Sequence, residues 1–187
     1  AILGYTESLI ANPNIDPEKQ SFFIERTYHQ SRRLTALLED ISMLNKLTDS
    51  KKLYEKEVVD VVSVVYDVIR DISEAAAKRS VTVDMQMPPD VILEGNKSLL
   101  YSIFRNLIDN SIAYAGDGVT VKVIHSHSDP QYHYFTVRDN GVGVDVKHLN
   151  HLFERFYRVD KGRSRKLGGT GLGLAIVKNA VLFHRGQ

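Results

Sequence analysis

Apolar residues recur at helical spacing through the first quarter of the chain, and charged residues fill the remaining positions. The clearest run is a heptad-like seam formed by Leu34, Leu37, Ile41 and Leu44. Helix breakers at 12–17 separate this seam from a short first helix. Asp16 and Pro17 predict the start of a second helix, which runs to about Asp49. Two interpretations remain open, a coiled-coil spacer or a helical hairpin that dimerises into a four-helix bundle.

Beyond residue 50 the pattern changes to short strands between helices, which is typical of a mixed α+β domain that begins near residue 52. Strands are predicted at 53–59, 81–85, 91–93, 119–125 and 132–137. Helices are predicted at 61–77, 97–114, 148–153 and 173–184. We expect the last two strands to pair as a hairpin.

Composition excludes several classes of chemistry. The 187 residues carry 24 Lys and Arg against 23 Asp and Glu, so a net charge of +1 gives no electrostatic case for nucleic acid or an anionic membrane. The absence of cysteine excludes disulfides, cysteine-bound zinc and thiol nucleophiles. No apolar run reaches the roughly 18–20 residues of a membrane span.

Common catalytic and phosphate-binding motifs do not occur in the sequence. There is no Gly-x-x-x-x-Gly-Lys-Ser/Thr loop, no His-Glu-x-x-His and no Gly-x-Ser-x-Gly. His125 and His127 lie on one face of a predicted strand, but no third ligand accompanies them nearby. This pattern favours a solvated strand end over a metal site.

Polar residues line one stripe of the helix predicted at 97–114. Asn106, Asn110 and Tyr114 are each four residues apart, so they share a face. The two amide oxygens can ligate a hard cation such as magnesium, beside an aromatic wall. The alternative is a polar helix face in solvent.

A carboxylate followed by glycines comes directly after the last predicted strand. Asp139 precedes Asn140, Gly141 and Gly143. One interpretation is a tight turn, because Asn-Gly is a strong hairpin signal. The other is a carboxylate that accepts from an exocyclic amine, with glycines that allow a ligand close to the backbone.

The C-terminal part contains an aromatic segment and a glycine-rich segment. Three aromatics at 153–157 would ordinarily indicate core packing. The glycines at 168–173 lead directly into an apolar helix, whose first N–H groups and dipole make an anion site. The basic stretch at 159–167 between them indicates either a lid or a solvated run of charge.

Together, in this order, the segments 106–114, 139–143, 152–158 and 168–177 resemble the N, G1, F and G2 boxes of the sensor histidine kinases of two-component signalling. Residues 1–9 look like the continuation of that family's first dimerisation helix. The resemblance implies an α+β fold in which residues 1–50 form an antiparallel helical hairpin, half of a dimeric four-helix bundle. It further implies that 52–187 form a catalytic ATP-binding α/β sandwich, a mixed sheet with helices on one face, without the family's closing strand.

The resemblance also implies a site for ATP and Mg²⁺. Asn110 would ligate magnesium with support from Asn106. Tyr114 would pack on the adenine, and Asp139 would accept from its amine. The remaining positions form the adenine floor, the lid and the phosphate site: Gly141, Gly143, Phe153, Phe156, Tyr157, Arg158, Lys161, Gly169, Thr170, Gly171, Leu172 and Gly173.

The sequence departs from the family pattern at two points. Ala113 stands where the family often has Lys, so one phosphate contact is lost or supplied by the lid. No histidine lies near the start of the chain, where the first is His29. We therefore expect the phosphoacceptor histidine to precede Ala1, assign no catalytic residue within the chain, and expect the chain to be truncated at both ends.

The implied function is that of the kinase core of a sensor histidine kinase. Such an ATP-dependent enzyme phosphorylates a histidine, forms a homodimer through its hairpin and passes the phosphate to an Asp of a response-regulator receiver domain. The resemblance implies the cytoplasmic portion of a bacterial membrane-anchored sensor, with membrane contact only through regions outside this chain and no nucleic acid partner. The alternatives are a non-catalytic dimeric nucleotide-binding scaffold and a related ATPase or Ser/Thr anti-sigma kinase, and the helical hairpin argues against the last.

Overall fold

The computed structural model describes residues 1–49, 54–159 and 169–187. The helices are α1 (Ile2–Ala11), α2 (Pro17–Asp49), α3 (Val61–Lys78), α4 (Lys97–Tyr114), α5 (Val146–Leu149) and α6 (Gly173–Phe183). The strands are β1 (Glu57–Asp60), β2 (Thr82–Gln86), β3 (Ile92–Gly95), β4 (Thr120–Ser128) and β5 (His133–Asp139). Within the described ranges, no helix combines the length and the apolar character needed to cross a membrane.

The first two helices form the predicted hairpin. The Asp16 carboxylate accepts from the backbone N–H groups of Glu18 at 2.9 Å and Lys19 at 3.3 Å, which caps α2 as expected. The Tyr5 ring on α1 lies 5.4 Å from the Phe23 ring on α2. α1 therefore folds back onto the first turns of α2.

Three strands form a mixed sheet with β4 at its centre. β2 runs parallel to β4, and β5 runs antiparallel to it, so the predicted hairpin between the last two strands is confirmed. The register places Val121 opposite Asp139, at the end of β5. β1 and β3 pair separately as an antiparallel ribbon. The strand predicted at 53–59 is shorter than expected, since β1 begins at Glu57, and Leu53 lies outside the described residues.

The main core lies between α3, α4 and one face of the sheet. Asp60 caps α3 through the backbone N–H of Val62 at 3.0 Å. Val121 and Val123 of β4 are fully buried, whereas the intervening Lys122 is exposed. This alternation shows that the sheet packs against the helices through a single face.

A second, smaller core joins α2 to α6. Leu44 of α2 is buried together with Leu172, Ala175 and Ile176. Leu37 and Ile41 of the seam pack against the same cluster, while Leu34 is 50% exposed. Most of the seam predicted from the sequence is therefore covered within one chain by α6.

The short helix after β5 begins earlier than its predicted start at residue 148. The Asp145 carboxylate accepts from the backbone N–H of Lys147 at 3.1 Å and caps a helix that starts at Val146. This helix ends at Leu149 and is followed by turns. The difference arises because the capping residue sets the start of so short a helix.

Candidate functional site

The polar stripe predicted on α4 is present, and its two asparagines have different surroundings. Asn106, Asn110 and Tyr114 are all half-buried. The Asn106 Nδ2 donates to the backbone carbonyl of Ser102 at 2.8 Å. The Asn110 side chain makes no hydrogen bond to another residue of the described part of the chain. Its amide oxygen is therefore available for a ligand.

The Asp139 carboxylate is held at both of its oxygens. Oδ2 accepts from the Ser111 hydroxyl at 2.8 Å, and Oδ1 accepts from the Gly141 backbone N–H at 3.0 Å. Ser111 follows Asn110 on α4, so this contact joins the helix to the end of β5. Sequence reasoning missed Ser111, because its partner lies 28 residues away and only the packing of α4 against β5 brings them together.

Gly141 fits against the end of α4 only because it has no side chain. A Cβ built at this position would overlap the backbone and the Cβ of Ala115. The Val142 N–H donates to the Ala115 carbonyl at 3.0 Å, which fixes the loop on the helix end. Gly143 has a φ of +70° and open space around it. The loop is therefore a turn fixed on the end of α4 rather than a hairpin, since no strand follows it among the described residues.

The glycine-rich loop lies directly against the α4 stripe. A Cβ at Gly169 would approach the Tyr114 hydroxyl to 2.8 Å, and a Cβ at Gly173 would approach the Asn106 Oδ1 to 2.5 Å. Gly173 is the first residue of α6. The structure thus brings together two segments that the sequence separates by more than fifty residues. The N–H groups that open α6 lie beside the helix that carries both asparagines.

The aromatic segment is hydrogen-bonded to two backbone carbonyls of the glycine-rich loop. The Phe156 N–H donates to the Gly171 carbonyl at 2.8 Å, and the Arg158 guanidinium donates to the Gly169 carbonyl. Gly171 has a φ of +76°, and a Cβ there would lie 3.0 Å from the Phe156 Cα. The Arg158 guanidinium therefore already has a hydrogen-bond acceptor within the chain.

The aromatic side chains of this segment do not form core packing. Phe153 is 45% exposed and Phe156 is 59% exposed. Both lie in turns rather than in an element with a buried face. Tyr157 is half-buried, and its hydroxyl lies 2.7 Å from the Nδ1 of His148.

The glycine-rich loop also contacts α2. The Thr170 hydroxyl donates to Asp40 Oδ2 at 2.8 Å, and Arg33 donates to the Gly169 carbonyl at 3.5 Å. Burial raises the pKa of the Asp40 carboxyl above its usual range, although the hydrogen bond from Thr170 opposes that shift. Leu172 is fully buried in the α2–α6 core. Sequence reasoning missed Asp40 and Arg33, because no local pattern links them to a loop some 130 residues away.

The basic stretch and the magnesium site are the other two predicted features of this region. Of the basic stretch predicted at 159–167, Lys161 and all the other residues after Val159 lie outside the described residues. Among the residues that the structure does describe, no group of three or more His, Cys, Asp or Glu side chains could hold a metal ion. A magnesium ion bound through an amide oxygen and nucleotide phosphates does not require such a group.

A family model and several curated proteins match the chain. The model described as "Histidine kinase-, DNA gyrase B-, and HSP90-like ATPase" matches residues 95–187. The phosphate regulon sensor protein PhoR of Pseudomonas aeruginosa is 35% identical over 186 residues, which covers 100% of this chain and 42% of that protein. The sensor-like histidine kinase SenX3 of Mycolicibacterium smegmatis is 33% identical over 97% of this chain and 47% of its own length. The chain spans less than half the length of these relatives.

Solved structures show the same fold. The Acinetobacter baumannii histidine kinase AdeS superposes with a TM-score of 0.77 at 20% identity, covering 97% of this chain and 82% of that one. A mycobacterial sensor histidine kinase, MprB, superposes with a TM-score of 0.59 at 28% identity, covering 70% of this chain and 80% of that one. By its sequence relatives, its domain match and its fold, the chain belongs to the sensor histidine kinases and corresponds to their catalytic region.

Proposed function

We propose that this chain binds ATP with Mg²⁺ between α4, the loop after β5 and the glycine-rich loop, and transfers the γ-phosphate to a histidine. The contact of the glycine-rich loop with the α4 stripe, through Tyr114–Gly169 and Asn106–Gly173, carries the proposal. This contact places an anion site beside two amides, and the hydrogen bond from Ser111 to Asp139 attaches a carboxylate to the same helix. Those groups match the phosphates, the metal and the base of a nucleotide.

Asp139 is the proposed reader of the adenine base. A carboxylate only accepts hydrogen bonds, so it selects an exocyclic amine. Gly141 and Gly143 form the floor that lets the base approach the backbone. Tyr114, on the same helix as the asparagines, is the proposed aromatic wall.

The phosphates are assigned to the glycine-rich loop and the start of α6. Backbone N–H groups at a helix N-terminus favour negative charge. The proposed contacts come from Gly169, Thr170, Gly171, Leu172 and Gly173, with Phe156, Tyr157, Arg158 and Lys161 contributed by the lid. The Thr170 hydroxyl and the Arg158 guanidinium already make hydrogen bonds within the chain. They would exchange these bonds for bonds to phosphate oxygens when the nucleotide binds.

Asn110 is the proposed protein ligand of magnesium. Its free, half-buried amide oxygen is a hard donor, and magnesium in such sites takes few protein ligands besides phosphates and water. When bound, the ion neutralises charge on the phosphates. Asn106 supports the site by holding the helix face against Gly173.

Phosphoryl transfer of this kind needs positioning and charge neutralisation more than covalent chemistry from the protein. Amides, glycines and basic groups suffice for that task. The acceptor is proposed to be a histidine on a dimerisation helix outside this chain, followed by an Asp of a response-regulator receiver domain. On this view, residues 1–50 are the hairpin domain of a homodimer and 52–187 are the catalytic domain, within the cytoplasmic portion of a membrane-anchored sensor.

Incubation with labelled ATP tests the proposal. The chain is mixed with a separate helical hairpin of this family that carries a phosphoacceptor histidine. We expect acid-labile, base-stable phosphate on the added hairpin, no label on this chain alone, and none with Asn110→Ala. ATP binding without any transfer would contradict the kinase assignment and favour the non-catalytic nucleotide-binding scaffold.

A further inference from the structure

Ser111 is the only buried polar or charged residue in the part of the chain that the structure describes, with 8% of its surface exposed. Serine in a helix can bond to the carbonyl one turn earlier, as Thr6 and Ser8 do on α1. The Ser111 hydroxyl instead lies 2.8 Å from Asp139 Oδ2, on another element. Because a carboxylate has no donor, the serine donates this bond.

We propose that Ser111 is a positioning residue that sets Asp139 to select a base with a 6-amino group, an inference that rests on the proposed ATP site. Ser111 occupies Oδ2, and the Gly141 N–H occupies Oδ1 at 3.0 Å. One donor on each oxygen prevents the carboxylate from rotating unless both bonds break. An ionised carboxylate has about four acceptor positions, so acceptor capacity remains on both oxygens.

The fixed carboxylate distinguishes bases by whether the group at position 6 donates or accepts a hydrogen bond. An amino group at position 6 donates to it, whereas an oxo group at that position would face another acceptor. Without the serine hydroxyl, the carboxylate can turn and pair with water. Removal of the serine hydroxyl should therefore lower the affinity for nucleotides that carry the 6-amino group. The phosphate contacts should be unchanged.

Calorimetric titration of the chain with two nucleotides tests this role. One is ATP, and the other is purine riboside triphosphate, which differs by lacking the 6-amino group. Ser111→Ala should weaken ATP binding by about ten-fold, slightly less than a whole hydrogen bond to a charged group contributes, and should change binding of the second nucleotide by no more than about two-fold. In an Asp139→Asn background, Ser111→Ala should add no more than about a two-fold loss, because the two residues act through one bond.

Ser98→Ala is the matched control, since Ser98 is exposed on the same helix. It should leave both affinities at wild-type values. Alanine favours helix at least as well as serine, so loss of α4 does not explain a change. Equal losses for both nucleotides would show a packing role and overturn the proposal.

The remaining outcomes separate this proposal from the proposed function. If Asp139→Asn weakens ATP binding but Ser111→Ala does not, the positioning role is wrong and the ATP site stands. If Asp139→Asn leaves ATP affinity unchanged, the assignment of Asp139 to the base fails, and the role of Ser111 fails with it.

Discussion

Two asparagines one helical turn apart differ in what they can do. The Asn106 amide nitrogen donates to the Ser102 carbonyl within α4, and its Oδ1 lies so close to Gly173 that α6 packs against this side chain. The Asn110 amide has no such partner among the described residues. The sequence spacing places both asparagines on one face of α4 and does not distinguish them. The position of the glycine-rich loop, beside Asn106, gives Asn106 a packing role and leaves Asn110 for a ligand.

Removing the Asn110 amide should therefore affect ATP binding only when magnesium is present. We expect Asn110→Ala to weaken binding in magnesium by ten-fold or more, about 1.4 kcal/mol, and to have little effect in EDTA. Titration calorimetry under both conditions measures the difference. Asn179→Ala is the control, because Asn179 bonds to the Ala175 carbonyl on α6 at 2.8 Å. Equal losses with and without magnesium would point to a structural role for Asn110.

At the scale of elements, the contact between α2 and α6 is the feature that sequence patterns did not predict. The sequence predicts the apolar seam on α2, and both interpretations of it, a coiled-coil spacer or a four-helix bundle, would cover the seam with another long helix. The partner of Leu37, Ile41 and Leu44 within the chain is the helix that follows the glycine-rich loop. Helical periodicity identifies which face is buried, and it carries no information about which distant element covers that face.

Truncation of Leu44 should measure the strength of this second core. Leu44 is 2% exposed, so Leu44→Ala should lower the free energy of unfolding by about 2–5 kcal/mol. Leu182, which is 56% exposed on α6 and lies outside the hairpin, provides the matched control, and Leu182→Ala should stay within about 0.5 kcal/mol. Urea denaturation compares the two. A Leu44→Ala variant as stable as the control would show that α2 and α6 do not pack together in solution.

At the scale of the whole molecule, the elements were predicted well and their long-range contacts were not. The start and end of α4 agree with the sequence pattern, as does the start of α6 at Gly173. Local signals determine such boundaries through caps, glycines and periodicity. The bonds Ser111–Asp139 and Asp40–Thr170 join residues 28 and 130 positions apart, so they emerge only from the packed fold.

The hairpin retains an apolar surface that we propose is covered by a second copy of the chain. Its exposed apolar residues include Ile24, Tyr28, Leu34 and Leu38, whose spacing places them near one face of α2. Leu37 and Ile41 are less suitable test positions, because they pack in the intrachain core.

We expect light scattering to show a wild-type dimer and a monomer for the double variant Leu34→Glu/Leu38→Glu. Both side chains are exposed within one chain, so the folded protomer should survive and still bind ATP. A wild-type chain that is monomeric at high concentration, or a double variant that still dimerises, would refute this interface.

The proposed site depends on the contact between Asp139 and the adenine base, and calorimetry with Asp139→Asn measures that contact. The wild-type chain should bind ATP in preference to GTP, because adenine presents an amino group at position 6, whereas guanine presents an oxo group there, which cannot donate to the carboxylate. Asp139→Asn should weaken ATP binding by about 1.5–3 kcal/mol, the scale of a hydrogen bond to a charged group, while circular dichroism shows an unchanged fold. An Asp139→Asn variant that binds ATP with wild-type affinity would contradict the account.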